Sequence, residues 1–399
     1  MKKTFNVLLM LMLVFILSGC INNDEKNSYI YTFNLGNAFE TVSKVQLVSK
    51  TKVEEERRIE LYDDMVLILD DLDKKFNVVK RNDNYITELM KINNNSGIEP
   101  VKVSDEVIYV IEESLKVATM SKVDGIALFD PTIAPVWEIW DFPNLIFSVS
   151  QGAVPKEYLP TSTEINELLP LVNYNNVILD KENKTVFLKE KNMALDLGAV
   201  VKGYAADVIE EFLLEEGFEK AVIDIGANIL LMGSYIDEKG KDAPWNVSIR
   251  TPLKDLNAMV PTNNDVLTIG SLKVINKTVV TSGIYEKYIR SEDGIDYHHI
   301  LDPRTGYSLD NNVVSVSVIT DLSIMGDACS TALFALGLDK GMEFVNGNDD
   351  IECIFVVSKK NAENKTEYLV YVSNGLVESF DFNEATERLR FKYMGILED

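Results

Sequence analysis

Residues 313–336 read VVSVSVITDLSIMGDACSTALFAL. The first eight alternate branched apolar residues with serine at period two, a strand pattern, and past Asp321 the spacing becomes that of a helix from about Leu322 to Leu336. The same mixture extends in both directions. Downstream, IFVVS (354–358) and YLVYV (368–372) read as closing strands. Upstream, AVIDI (221–225), WNVSI (245–249), VLTIG (266–270) and TVVTS (278–282) read as short strands, and NVILD (176–180) and TVFLK (185–189) flank the turn KENK as a hairpin. Helical spacing marks residues 53–75. A second helix is capped by Ser104, with Val107, Val110, Ile111 and Leu115 on one face, and Asn93–Gly97 forms the loop between the two. A third runs from Val200 to Gly217 with Ala205, Val208, Ile209, Phe212 and Leu213 facing inward. Hairpins are more evident than repeated βαβ units. The expected fold is therefore α+β, with mixed and largely antiparallel sheets, flanking helices, and room for two lobes around a cleft.

At 399 residues the chain can bury one large core or two smaller ones. Lys plus Arg number 39 against 63 for Asp plus Glu, a net charge of -24 at pH 7, and no basic stripe offsets it. Such a field repels polyanions, which excludes nucleic acid as a partner class. A small phosphorylated ligand needs local cations; the candidates are a bound metal, Lys202, Arg290 and Arg304.

The N-terminus reads as an address. Lys2 and Lys3 precede an apolar run from Val7 to Leu17, short for a membrane span, and Leu17-Ser18-Gly19-Cys20 resembles the bacterial lipobox, whose cysteine is acylated. The alternative is a plain signal peptide or short anchor. The expected organisation is a lipoprotein signal peptide (1–19), a lipidated tether (20–30) beginning at Cys20, and one domain (31–399) held on the outer face of the cell membrane. Cys329 and Cys353 are the other cysteines; they could pair in an oxidising compartment, but buried free thiols are the expectation.

Four segments carry polar residues where local patterning does not ask for them: FDPTIAP (129–135), DLGAVVKGYAAD (196–207), DIGAN (224–228), and HHILDPRTG (298–306) followed by GDACSTAL (326–333). The only two histidines of the chain, His298 and His299, stand together in the last of these. Imidazole titrates near neutrality without help, so a base belongs there, or else two surface histidines sit beside a turn. Asp327 and Thr331 lie four apart on one helix face, which suits a hard divalent cation that keeps water and substrate oxygens, and suits ordinary helix polarity with Thr331 bonding backward equally well. Lys202 enters a helix in its first turns, where an anion is favoured, although G-x-x-x-K-G lacks the Walker spacing. Trp137 and Trp140 suit core packing more often than ring stacking. Arg304 either binds phosphate or fixes the turn after Pro303 through a carboxylate.

Together these segments resemble the ApbE family, flavin transferases that take FMN from FAD and attach it to other proteins. The resemblance runs from about Leu35 to the last strands. It implies a T-fold-like domain, FAD as substrate, and Mg2+ held by Asp327, Thr331 and the main-chain carbonyl of Ala199. It implies FAD contacts at Leu35, Val79, Leu128, Phe129, Asp130, Asp196, Lys202 and Leu301, and His299 as the base, with His298 only its neighbour. The acceptor it implies is a threonine in a Ser/Thr-Gly-Ala-type sequence on a membrane redox complex, a sequence absent from this chain. The chain departs from the pattern at Leu35, where relatives often carry methionine, at Val79, where they usually carry tyrosine, and at Ala134 and Ala227, where glycine is common. Three rivals share the site or the ligand. They are an FAD pyrophosphatase giving FMN and AMP, a non-catalytic FAD-binding surface lipoprotein, and a redox flavoprotein, for which no dinucleotide fingerprint is present.

Overall fold

The alternating run at 313–320 lies in the middle of a sheet, and all eight of its residues are buried. The computed structural model describes residues 28–79, 85–149, 152–254, 264–285 and 287–397. Its strands are β1 (Tyr29–Ala38), β2 (Thr41–Ser49), β3 (Val101–Lys102), β4 (Lys122–Val123), β5 (Ile126–Ala127), β6 (Val177–Asp180), β7 (Thr185–Leu188), β8 (Ala221–Ile225), β9 (Asn228–Met232), β10 (Tyr235–Ile236), β11 (Asp242–Ala243), β12 (Trp245–Arg250), β13 (Thr268–Val274), β14 (Lys277–Gly283), β15 (Tyr288–Arg290), β16 (Asp296–His298), β17 (Val313–Thr320), β18 (Glu352–Lys360), β19 (Thr366–Val372), β20 (Phe380–Phe382) and β21 (Phe391–Gly395). Its helices are α1 (Glu55–Phe76), α2 (Glu88–Asn94), α3 (Asp105–Met120), α4 (Ala134–Trp140), α5 (Phe142–Val149), α6 (Ser162–Leu168), α7 (Val201–Glu215) and α8 (Ser323–Asn346).

Nine strands make the main sheet in the order β1-β2-β8-β9-β14-β17-β18-β19-β21. Every neighbouring pair is antiparallel except β19 with β21. One face carries the larger core, to which α1, α3, α7 and α8 contribute Leu61, Met65, Val107, Ile111, Ile209, Leu213 and Leu333. The other face meets the small sheet β12-β13-β20 through Trp245, Ile269, Leu272, Val314, Ile319 and Phe380. Both faces of β17 are thus covered, which is why its serines are buried too; the Ser317 hydroxyl lies 2.7 Å from that of Thr281. A satellite core of Val136, Trp140, Phe142, Val154, Ile165, Ile289 and Leu301 packs α4 and the first turn of α5 against the β15-β16 hairpin. Trp140 is fully buried there, its indole N–H on the Gly306 carbonyl at 2.8 Å, which bears out core packing for that residue.

The α+β expectation holds, with differences at element ends. The helix expected to stop at Leu336 does change there: Gly337 takes φ 78°, ψ -179°, and a second helical stretch runs on to Asn346. Asn93 lies in the last turn of α2 instead of starting a loop, and its side-chain amide exchanges two bonds with the backbone of Leu195. YLVYV does not close the domain, because β20 and β21 follow; three- and five-residue strands leave too short a pattern to read. Strand β1 begins at Tyr29, two residues inside the stretch read as tether, whereas Cys20 and the signal segment lie outside the described residues. Cys329 and Cys353 are free and buried.

At the β8-β9 turn Gly226 and Ala227 have φ 62° and 67°, both left-handed, as a two-residue turn that follows sheet twist demands. Alanine is strained in this conformation by roughly 1 kcal/mol. Ala227→Gly is expected to stabilise the protein by about 0.5–1 kcal/mol, read as a rise in the urea midpoint at constant slope. Ala134 opens α4 and carries no such strain.

Candidate functional site

Helices α7 and α8 meet at their N-terminal ends, and each caps the other. The Asp207 carboxylate of α7 accepts the first N–H groups of α8, from Ser323 at 2.7 Å and Ile324 at 2.8 Å. The Asp327 carboxylate of α8 accepts the Gly203 N–H of α7 at 3.0 Å. These N–H groups have no partner within their own helices, so the exchange satisfies donors that burial would otherwise orphan. Contact this close requires Gly203, because a Cβ there would stand 2.2 Å from the Ser323 carbonyl oxygen. Beneath the crossing the Ser323 hydroxyl donates to Asn228 Oδ1 at 2.8 Å and receives the Thr278 hydroxyl at 3.0 Å. Burial pushes the Asp207 carboxyl up to about 7.

Lys202 Nζ bridges the crossing. It donates to the Gly198 carbonyl at 2.6 Å and lies 3.2 Å from each carboxylate oxygen of Asp327. Thr331 sits one turn further along α8. Of the neighbouring hydroxyls it is Ser330 that bonds backward, to the Asp327 carbonyl at 2.8 Å, while Thr331 Oγ1 lies 3.5 Å from Ser282 Oγ. The backward bond that would have made Thr331 ordinary is made by its neighbour. Ser282, at the end of β14, also meets Ser330 at 2.8 Å; the polar end of TVVTS was its only sequence signal.

The loop before α7 is tied to FDPTIAP, since the Asp196 N–H donates to the Pro131 carbonyl at 2.8 Å and Asp196 Oδ1 accepts the Gly198 N–H at 2.8 Å. Burial raises the Asp196 carboxyl, with Lys202 and Lys287 pulling the other way. Asp130 holds its own loop, accepting the Thr132 N–H (2.9 Å), the Thr132 hydroxyl (2.6 Å) and the Tyr174 N–H (3.0 Å). Leu35, Leu128 and Phe129 are buried in the larger core, and Leu301 in the satellite core. Val79 follows α1 and is 46% exposed, its N–H on Asn77 Oδ1 at 2.7 Å.

The two histidines part company. His298 is buried, with Nε2 2.9 Å from the Leu309 carbonyl. His299 is half-buried, with Nδ1 3.2 Å from the Lys287 carbonyl. Burial first, then the charge of Lys287, lowers its ionisation to about 4, so the ring is neutral at pH 7. Lys287 was missed in the sequence, although the turn SEDG sets a register pairing Tyr288 with His298 and so brings Lys287 opposite His299. Two proposed phosphate cations are otherwise engaged. Arg304 grips Asp302 of its own turn at 2.9 and 2.7 Å, and Arg290 grips Asp296 at 2.7 and 2.9 Å. The turn-fixing reading of Arg304 is the observed one.

A hard cation fits this donor set. Among the described residues no three His, Cys, Asp or Glu side chains group as a metal cage. Yet a nearly buried carboxylate and the Gly198 carbonyl already converge on one ammonium, and one turn along α8 from Asp327 the Thr331 hydroxyl lies 3.5 Å from Ser282 Oγ. A metal that retains water and substrate phosphate asks for no more protein oxygens than that.

A model of the ApbE family matches residues 39–355. The chain is 35% identical over 292 residues to an FAD:protein FMN transferase of Klebsiella pneumoniae (strain 342), an alignment spanning 72% of this chain and 82% of that protein. It is 30% identical over 283 residues to an FAD:protein FMN transferase of Treponema pallidum (strain Nichols), spanning 68% and 71%. Among solved structures it resembles the flavin transferase ApbE from Vibrio cholerae, with TM-score 0.69 and 22% identity over 88% of this chain and 99% of that one; at that identity the likeness concerns the fold.

Proposed function

This chain belongs to the ApbE family, and on that premise we propose that it is an enzyme that transfers FMN from FAD to acceptor proteins. The observation that carries the reading is the crossing of two helix N-termini, with Lys202 between a loop carbonyl and Asp327 and a neutral imidazole on the adjoining hairpin. The N–H groups at the crossing are already capped by Asp207 and Asp327, so the attraction for a pyrophosphate comes from the Lys202 ammonium and from the cation that Asp327 would hold.

Asp327, Thr331 and the Ala199 carbonyl would hold Mg2+, which when bound supplies positive charge to the phosphate oxygens. Lys202 neutralises further negative charge on the pyrophosphate. Asp196 fixes the loop that carries Gly198, and Asp130 fixes the loop that carries Leu128 and Phe129. Leu35, Val79 and Leu301 complete the FAD-contacting set, with Val79 offering aliphatic contact but no ring. His299 takes the proton of the acceptor hydroxyl as its oxygen bonds to the FMN phosphorus. The bond from that phosphorus to the bridging oxygen breaks, and AMP leaves with that oxygen. The acceptor is a threonine in a Ser/Thr-Gly-Ala-type sequence of an exported membrane redox subunit. The enzyme stands at the outer face of a bacterial membrane, anchored through Cys20.

The test is to incubate the protein with FAD, magnesium and such a subunit and to look for flavin fluorescence on a denaturing gel. A magnesium-dependent fluorescent acceptor is the expected result. FMN and AMP in solution without labelling would replace the reading with FAD hydrolysis, and unchanged, tightly bound FAD would replace it with a carrier.

A further inference from the structure

The two adjacent histidines carry opposite hydrogen-bond patterns, and each pattern fixes a proton. A main-chain carbonyl can only accept, so a ring nitrogen bonded to one must bear hydrogen. For His298 that nitrogen is Nε2, on the Leu309 carbonyl at 2.9 Å, which leaves Nδ1 as a buried lone pair with no hydrogen-bond partner among the described residues. For His299 it is Nδ1, on the Lys287 carbonyl at 3.2 Å. The same carbonyl also accepts the His299 backbone N–H at 3.3 Å, so two bonds from one residue converge on it and set the ring's orientation.

The support for that carbonyl is a clamped hairpin. Strands β15 and β16 pair Tyr288 with His298 and Arg290 with Asp296. Arg290 holds Asp296 through two bonds, and Lys254 reaches the same carboxylate at 2.7 Å. At the turn the Ser291 hydroxyl donates to the Ile295 carbonyl at 3.1 Å, and across the second strand the Ser308 hydroxyl donates to the His298 carbonyl at 2.6 Å. These contacts hold the strand pair that carries the Lys287 carbonyl, and so decide where the base points.

We propose that Lys287 is a positioning residue acting through its main chain. Its carbonyl keeps the proton of His299 on Nδ1 and so leaves Nε2 as the lone pair that meets the acceptor hydroxyl, with His298 locked in the opposite tautomer beside it. This deepens the transferase reading and rests on it for the role of His299, but not for the tautomer itself. The ring is neutral at pH 7, because burial and the charges of Lys287 and Lys202 all disfavour the imidazolium, so the choice between tautomers is a real one.

Two histidines in the whole chain make the test direct. The full chain, labelled with 15N-histidine, is studied by long-range proton–nitrogen correlation at pH 7, with His298→Gln and His299→Gln assigning the two rings. The expected spectrum has His299 with a pyrrole-type Nδ1 and a pyridine-type Nε2, and His298 the reverse. Lys287→Gln should leave the His299 pattern in place, since the carbonyl remains. A His299 ring protonated on Nε2, or averaging between tautomers, overturns the proposal, as does loss of the pattern in Lys287→Gln. The readout is the ring nitrogens, so it is independent of whether any flavin is transferred.

Discussion

Asp327→Asn is expected to lower FMN transfer by about a thousandfold while changing stability little, and Asp327→Ala to lose both. The two substitutions separate what the carboxylate does for the fold from what it does for charge. In the fold it accepts the Gly203 N–H at 3.0 Å, and an asparagine oxygen can accept the same bond. Alanine cannot, and a buried donor left without a partner costs roughly 1–3 kcal/mol. For charge, the nearly buried carboxylate is the only acidic member of the set that would hold Mg2+, with Thr331 and the Ala199 carbonyl both neutral. An amide in its place leaves the metal without an anionic ligand. Loss of a single pre-organised electrostatic partner costs about 10²–10³ in rate, and metal affinity falls besides. Transfer measured across a magnesium titration, beside a urea melt of each variant, checks the pair. An asparagine variant that transfers normally at millimolar-range magnesium would remove Asp327 from the metal site. An asparagine variant that melts like the alanine variant would show that its cap needs the charge.

What could be read in the sequence was whatever repeats at short range. The period-two run of β17, the KENK hairpin and the inward face of α7 are local patterns, and each stands where it was expected. The reciprocal caps were not legible. Asp207 meets Ser323 across 116 residues and Asp327 meets Gly203 across 124, and no local pattern reports contacts at that separation. The sequence pairs Asp327 with Thr331 on the face of its own helix, whereas its carboxylate serves the start of another. Arg304 and Arg290 show the same limit on a smaller scale. Arginine suits phosphate and carboxylate alike, and only the register that sets Arg290 opposite Asp296, and the turn that folds Arg304 onto Asp302, decides between them. Lys287 was legible in principle, since the SEDG turn fixes its place opposite His299, but its contribution comes from a carbonyl that every residue has. The family resemblance supplied the site residues that spacing could not, and the geometry adds how Lys202, Gly198 and Asp327 are tied together.

His299→Ala is expected to abolish transfer, by about 10²–10⁴, with FAD binding retained, and the wild-type pH profile should carry the signature of an unusually acidic imidazolium. Burial and two lysine charges lower the ring's ionisation from the ordinary 6.5 to about 4. The free enzyme therefore keeps its base unprotonated well into the acid range, and kcat/KM should stay level from neutrality down to roughly pH 5, where an unperturbed histidine would already have lost most of its activity. Stability runs in the same sense. The unfolded chain takes up this proton near 6.5 and the folded one only near 4, so the contribution of neutral His299 is complete above 6.5 and is lost as pH falls from there towards 4. Binding of FAD brings negative charge to the site, which favours the imidazolium and should move the limb in kcat above that in kcat/KM. Rate profiles for both constants, restricted to the range in which a melt shows the protein folded, measure this directly. A kcat/KM limb at the ordinary histidine value would mean that the ring is not buried as described. Lost FAD binding in His299→Ala would move the residue from base to ligand contact.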